Sequence, residues 1–158
     1  MSRSLFFLVA LVPLSALLPS FAAGQDLVGP AGREAILEHS PDWKATAAAY
    51  QPVMAAVDKL RALDREVLIE VYFGSWCSDC AARLPAFFKI LDMVDSPLIR
   101  VRYTGVPRKR EERAPYLGGR EIEKVPTFIV FVDSRELGRI VESPKKTLEE
   151  DLVQILGL

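Results

Sequence analysis

Hydrophobic positions along the chain change their spacing several times, and each change predicts a different element. The run 67–73 is mostly apolar, β-branched and aromatic, which is typical of a buried central strand. Apolar residues three and four apart predict an amphipathic helix on either side of it. The first helix carries Val53, Ala56, Val57, Leu60 and Leu63, and the second carries Leu84, Phe87, Phe88, Leu91 and Val94.

The second half of the chain returns to strand patterns. Apolar and charged residues alternate over 99–103, which predicts a strand with one exposed face. A hairpin follows a polar, irregular connection: strand 127–132, a turn at 133–136 and strand 137–141. Thr147 and Glu150 form a capping box that begins a last helix. This order predicts one α/β domain whose sheet is parallel at first and ends in an antiparallel hairpin.

The first 24 residues have a different pattern. Arg3 precedes a short apolar run, and small residues follow it, which indicates a secretory signal peptide cleaved after Ala22 or Gly24. An uncleaved anchor is the alternative, but the run is short for a spanning helix and contains Pro13. We expect an exported protein, most simply in a bacterial periplasm. There, an oxidising environment permits disulfide exchange.

Composition narrows the remaining chain to one folded unit. We interpret 25–49 as a partly helical lead-in and 50–158 as the main domain. The formal net charge of −1 provides no strong field for nucleic acid, and we expect a monomer.

The charged segment 108–113 mixes signs and is interpreted as a solvated loop or short exposed helix. Arg83 is treated as a solvated residue that could pair with Asp79.

The two cysteines are the candidate for chemistry. Cys77 and Cys80 flank Ser78 and Asp79, directly after the predicted strand and at the start of a helix. Free N–H groups and the helix dipole stabilise a thiolate there, so Cys77 can attack a disulfide and Cys80 can resolve it. A purely structural bridge would close too short a loop to stabilise much. Zinc would need more ligands than two cysteines and the distant His39 provide.

Trp76-Cys77-Ser78-Asp79-Cys80 after a hydrophobic strand resembles the thioredoxin superfamily, over roughly 50–157. Pro85 matches that family's helix proline, and Val125-Pro126 resembles its cis-proline segment. The resemblance implies a thioredoxin fold, a central mixed sheet flanked by helices, here with an N-terminal helical extension. It also implies that Val125 and Pro126 dock an extended substrate. Trp76 is expected to shield Cys77 and pack against a partner.

Two departures from the family pattern bear on mechanism. Val71 stands where the family carries a buried acid, and strand alternation points the adjacent Glu70 to the other face, so the proton acceptor for Cys80 is unassigned. Asp79 places negative charge beside the thiols and should oppose thiolate formation at Cys77. This favours a reductase or exchanger over a strong oxidant.

The expected activity is therefore thiol–disulfide exchange on protein substrates, with no metal and no cofactor beyond the Cys77–Cys80 pair. A reductase outside the cytoplasm needs an upstream donor, either a membrane protein or another thiol protein. One alternative is a copper-binding or metallochaperone module using Cys77, Cys80 and His39. The other is a non-catalytic module that binds peptides in the groove at Pro126.

Overall fold

A five-stranded mixed sheet forms the centre of the molecule. The computed structural model describes residues 25–158, and the predicted signal peptide at 1–24 lies outside the described residues. The strands lie in the order β1-β3-β2-β4-β5. They are β1 (Gly29–Ala31), β2 (Val67–Phe73), β3 (Ile99–Gly105), β4 (Thr127–Val132) and β5 (Arg135–Val141). β2 and β3 run parallel, whereas β4 is antiparallel to both β2 and β5.

Five helices and two short 3₁₀ turns accompany these strands within residues 25–158. The helices are α1 (Arg33–His39), α2 (Asp42–Ala49), α3 (Met54–Arg61), α4 (Ser78–Val94) and α5 (Leu148–Leu156). The 3₁₀ turns, Arg110–Glu112 and Ala114–Tyr116, lie in the long connection between β3 and β4. The predicted α/β fold with a mixed sheet and an N-terminal helical extension is confirmed. The predicted capping box of Thr147 and Glu150 begins α5.

The hairpin turn is shorter than the sequence predicted. Asp133 and Ser134 both adopt positive φ, 49° and 64°, and β5 already begins at Arg135. Two residues with positive φ make a tight turn whose twist matches that of the paired strands. Arg135 and Glu136 therefore belong to the strand, although their charges suggested a loop.

The helices cover one face of the sheet and build the main core there. Phe87 of α4 is fully buried and meets Phe128 of β4 edge-to-face, with ring centroids 5.1 Å apart. Phe87 and Phe88 both lie edge-to-face with Tyr103 of β3. α4 also packs against α2, α3 and α5. This face is therefore closed by apolar side chains, as the helical stripes predicted.

The segment 107–124 covers the opposite face with no α-helix. Tyr72 of β2 donates a hydrogen bond to the Leu117 carbonyl at 3.2 Å. Arg120 donates to both carboxylate oxygens of Glu70, and its guanidinium lies 4.6 Å from the centre of the Phe131 ring. Polar contacts between the strands and this segment thus replace the helix–sheet packing of the first face.

The lead-in adds a strand to the sheet, which the sequence analysis did not predict. β1 pairs antiparallel with the end of β3, where Gly29 lies opposite Gly105. A Cβ on Gly105 would stand 2.1 Å from the Leu27 carbonyl oxygen, so only glycine permits this approach. The Leu27 N–H donates to Ser75 Oγ at 2.9 Å, just before the cysteines. The lead-in therefore supports the loop that carries them.

Among residues 25–158, no helix combines the length and the apolar character needed to cross a membrane.

Candidate functional site

The two cysteines lie where β2 gives way to α4. Cys77 is the N-cap of α4, and its sulfur accepts the backbone N–H of Cys80 at 3.3 Å. Both cysteines are free thiols, with Cys77 partly exposed and Cys80 buried. The predicted placement at a helix N-terminus therefore gives the Cys77 sulfur a backbone donor, which stabilises negative charge on it.

Cys80 is completely shielded from solvent. Its side chain has 0% exposure, and its sulfur accepts the Gly74 N–H at 3.4 Å. Burial raises the pKa of Cys80 strongly, while the hydrogen bond from Gly74 acts in the opposite direction. Cys80 is therefore held as a neutral thiol directly behind the partly exposed Cys77. This arrangement separates an accessible sulfur from a protected one.

The segment before β4 faces Cys77. The Val125–Pro126 peptide bond is cis, and the Cys77 thiol lies 3.4 Å from the Val125 carbonyl oxygen as a hydrogen-bond donor. The Pro126 carbonyl accepts the Glu142 N–H at 2.8 Å, which ties this segment to the end of β5. The structure thus brings Val125, 48 residues after the first cysteine, and the adjacent Pro126 to the same site.

Trp76 folds back over the end of the sheet. Its indole N–H donates to the Val106 carbonyl at 3.1 Å. A Cβ on Gly74 would lie 2.5 Å from the indole ring, so this position of the ring requires glycine there. The guanidinium groups of Arg108 and Arg113 lie 5.3 and 5.4 Å from the ring centre. Trp76 is therefore held between its own loop and the basic connection.

The prediction that 108–113 is a solvated segment is wrong for Arg113. This side chain is only 6% exposed, whereas Arg108, Lys109 and Arg110 are exposed. Arg113 donates to the carbonyls of Pro107 and Arg108 at 3.0 and 3.2 Å. The charge pattern gave no signal for this burial, because it depends on the distant aromatic ring of Trp76 and on carbonyls of the folded loop.

A cleft of about 350 Å³ opens at the Cys77 sulfur. Its lining comes from three places: the cysteine loop, the connection between β3 and β4, and the end of β5. The lining residues are Trp76, Cys77, Ser78, Asp79, Arg113, Glu123, Lys124, Val125 and Glu142. Most sequence-predicted site residues thus share one cleft, whereas Pro126, next to the lining residue Val125, is buried and does not line it.

The usual acid position near the second cysteine remains apolar. Val71 is fully buried, and Glu70 turns to the other face of the sheet, where Arg120 binds it. Arg83, which was expected to be solvated or to pair with Asp79, instead donates to Ser143 Oγ at 3.3 Å. Its Nε is buried without a hydrogen-bond partner among the described residues. Neither Glu70 nor Arg83 therefore offers Cys80 a proton acceptor.

His39 lies apart from the cysteines. Its exposed ring contacts Ser40 and the Gln25 carbonyl oxygen, the latter at 2.7 Å from Nε2. Within residues 25–158, no three His, Cys, Asp or Glu side chains come together as a metal site. The three-residue ligand set of the copper alternative, His39 with Cys77 and Cys80, is therefore not assembled in the fold.

Two solved structures, each with a TM-score of 0.54, have the same fold at low sequence identity, and a third has a lower score. A protein of unknown function from Pseudomonas aeruginosa is 19% identical with a TM-score of 0.54, covering 80% of this chain and 84% of that one. An HIV epitope scaffold is 18% identical with a TM-score of 0.54, covering 83% and 84%. A mutant thioredoxin from Halobacterium salinarum is 16% identical with a TM-score of 0.42, covering 68% and 88%.

The sequence comparisons give one further result. No curated protein matches the chain. A family model described as thioredoxin matches residues 34–154, a range that includes both cysteines, the Val125–Pro126 segment and most of the lead-in helices. On this match, and with the mixed sheet and its flanking helices as described, the chain belongs to the thioredoxin family.

Proposed function

We propose that this protein is a thiol–disulfide oxidoreductase in which Cys77 is the nucleophile and Cys80 the resolving thiol. One observation carries the proposal. The partly exposed Cys77 lines a cleft and its sulfur accepts the Cys80 N–H, while Cys80 lies fully buried one turn behind it. Such a pair can form an intermolecular disulfide through one sulfur only and then release it through the other.

The chemistry follows from this arrangement in two exchange steps. The Cys77 thiolate attacks one sulfur of a substrate disulfide, which breaks the substrate S–S bond and releases its other half as a thiol. Cys80 then gives up its proton to solvent or to the leaving sulfur and attacks Cys77. The second substrate thiol leaves, and the domain retains the Cys77–Cys80 disulfide. Two electrons and two protons from an upstream dithiol restore the starting state.

The remaining site residues have supporting roles in the proposal. Val125 lines the cleft and, with the adjacent cis-Pro126, is the segment against which an extended substrate would lie, and Trp76 shields the loop beside Cys77. Ser78 and Asp79, both exposed in the first turn of α4, tune the reactivity of Cys77. The negative charge of Asp79 supports a reducing or exchanging role over a strongly oxidising one.

Matched cysteine variants test the exchange mechanism. We expect the wild-type protein to reduce insulin disulfides in the presence of dithiothreitol and both single variants to lose this activity. Cys80→Ser should accumulate a mixed disulfide with a substrate peptide, visible by mass spectrometry, whereas Cys77→Ser should not. Absence of reduction by wild type would contradict the proposal. Retained cellular function in the double Cys→Ser variant would support a non-catalytic peptide-binding role instead.

The direction of electron transfer and the cellular compartment of the protein need separate measurements. We propose a reductase or exchanger outside the cytoplasm, with protein disulfides as substrates and a membrane donor or another thiol protein as the source of electrons. Equilibration with glutathione buffers gives the reduction potential, and a potential near that of DsbA would contradict the reducing role. Cell fractionation, with N-terminal sequencing for cleavage after Ala22 or Gly24, tests export.

A further inference from the structure

Arg113 is the one deeply buried cation in the described part of the cleft. It is 6% exposed and lines the cleft together with Cys77. Within residues 25–158, no carboxylate lies within ion-pair distance of it. A buried charge without a counter-ion is costly, because the low-dielectric surroundings replace water poorly. Its position in the cleft that Cys77 also lines therefore suggests that a substrate supplies the counter-ion.

The surroundings of Arg113 fix its orientation without neutralising it. Nε and Nη2 donate to the carbonyls of Pro107 and Arg108, and the guanidinium lies over the Trp76 ring. A guanidinium has five N–H donors. Nη1 makes no hydrogen bond to any of residues 25–158 and is not sealed from solvent. Arg113 thus keeps donors free for a ligand while its plane is held by the loop.

The other charges of the cleft are largely matched. Lys124 and Glu142 form an ion pair at 2.6 Å, and Glu123 lies 3.9 Å from Arg110. Asp79 has no ion-pair partner in the described region, and it lies on α4, whereas Arg113 lies on the connection between β3 and β4. The cleft therefore has one unmatched charge of each sign, with its positive pole on the side of Trp76.

We propose that Arg113 is a specificity-determining residue that binds a carboxylate next to the reacting sulfur of the substrate. This inference rests on the proposed exchange reaction at Cys77. Arg113 would donate charge-assisted hydrogen bonds to the carboxylate and so hold the substrate disulfide near Cys77. The carboxylate can belong to an Asp or Glu beside the substrate cysteine, or to a small acidic thiol compound. Both present the same group to the same donors.

Two matched pairs of disulfides separate these sources. The first pair is dithiodipropionate and its diamide, and the second is a peptide disulfide with either Glu or Gln beside the cysteine. The rate of attack by the reduced protein is measured for each, and divided by the rate of dithiothreitol with the same disulfide. This division removes the intrinsic effect of the carboxylate on the reactivity of the disulfide.

We expect wild type to prefer the acid over the amide by about tenfold, the factor that one hydrogen bond to a charged group supports. A preference in the peptide pair identifies an acidic protein segment, and one confined to the small pair identifies a small acidic thiol. Arg113→Gln should bring the ratio to about one, and Arg113→Lys should retain part of it. Arg108→Gln is the matched control, because Arg108 lies over the same ring but is exposed, and it should keep the ratio.

The outcomes distinguish this inference from the proposed function. Reaction with the amides at normal rates and no preference for the acids in wild type would overturn the role of Arg113 and leave the exchange reaction intact. No reaction with any disulfide would overturn the exchange reaction itself. An unchanged acid preference in Arg113→Gln would also overturn the inference. If Arg113→Gln fails to fold, Arg113→Lys tests the same point, because it keeps the charge but loses the planar fork of donors and should lower the acid preference. An unchanged preference in Arg113→Lys would then overturn the inference.

Discussion

The two faces of the sheet are closed by different means. Under the helices, Phe87, Phe88, Tyr103 and Phe128 interlock as edge-to-face aromatic rings. Under the segment 107–124, the strands are joined to their cover by an arginine–glutamate pair and a tyrosine hydroxyl. Apolar burial contributes large, short-range stabilisation, whereas partly exposed polar contacts contribute little net free energy but fix geometry. The first face thus stabilises the fold, and the second positions one wall of the cleft.

The largest expected effect is on the helix-covered face. Phe87→Ala removes a fully buried ring that contacts both β3 and β4, and we expect a loss of about 3–5 kcal/mol in the free energy of unfolding. Urea unfolding followed by circular dichroism measures it. Leu137→Ala, at a side chain 39% exposed on the edge strand, is the control and should change stability little. If Phe87→Ala lowered the free energy of unfolding only slightly, the helix-covered face would not be the face that stabilises the fold.

A smaller effect is expected at the ion pair on the opposite face. Glu70→Gln weakens two hydrogen bonds from Arg120, and we expect a loss of about 1–2 kcal/mol, measured by the same urea unfolding. Glu66→Gln is a suitable control, because Glu66 pairs with Arg100 where both side chains are 68% exposed. If Glu70→Gln cost as much as Phe87→Ala, the two faces would contribute equally and the contrast would fail.

The tyrosine contact should contribute less again. Burial raises the pKa of Tyr72, so its hydroxyl stays protonated at neutral pH and donates to the Leu117 carbonyl. Tyr72→Phe keeps the ring and removes this bond, for which we expect a loss of about 1 kcal/mol. Hydrogen exchange should then show faster opening of residues 113–120 than of β2. Equal acceleration in both regions would mean that the contact supports the whole fold and not its cover alone.

The smallest effect is expected at a surface ion pair on the helical side. Arg33 of α1 forms a bidentate pair with Asp92 of α4, and this hydrogen-bonded guanidinium lowers the pKa of the Asp92 carboxyl. Because the pKa is lower in the folded state, the contribution is complete above the unfolded value of about 3.9 and is lost as pH falls through the folded value. Both side chains are partly exposed, so we expect less than about 1 kcal/mol.

Asp92→Asn checks this expectation. The stability difference between wild type and the variant, measured by urea unfolding at a series of pH values, should be constant near neutrality and shrink below about pH 4. Asp58→Asn, which alters a different exposed ion pair, that of Asp58 with Arg61, is the reference variant for these measurements. A difference that grew on acidification would contradict the assigned sign.

The elements that the sequence predicted well are those whose signals are local. β2 and β4 have mostly apolar runs with the predicted bounds, and the capping box at Thr147 specifies the start of α5. The features it missed depend on distant partners. β1 has no strand pattern in its three residues and exists because it pairs with β3 and because Gly105 leaves room for Leu27.

In the candidate site too, features with local sequence signals were predicted and those that depend on distant partners were not. The spacing of Cys77 and Cys80 and the start of a helix were readable from the sequence, and they lie as expected. The burial of Arg113 was not readable, because its charge and neighbours are those of a solvated loop. Only the folded connection brings its guanidinium over Trp76 and into the cleft that Cys77 also lines. Side chains on long connections are positioned by tertiary contacts that no local pattern encodes.

The placement of the two tryptophans makes the molecule suitable for fluorescence spectroscopy. The chain has two tryptophans. Trp43 is 6% exposed within the helical core, whereas Trp76 lies at the cleft under two guanidinium groups. In a Trp43→Phe protein, all indole emission would come from the cleft. Its intensity and wavelength would then follow thiol oxidation and movement of the basic connection in real time, without an attached dye.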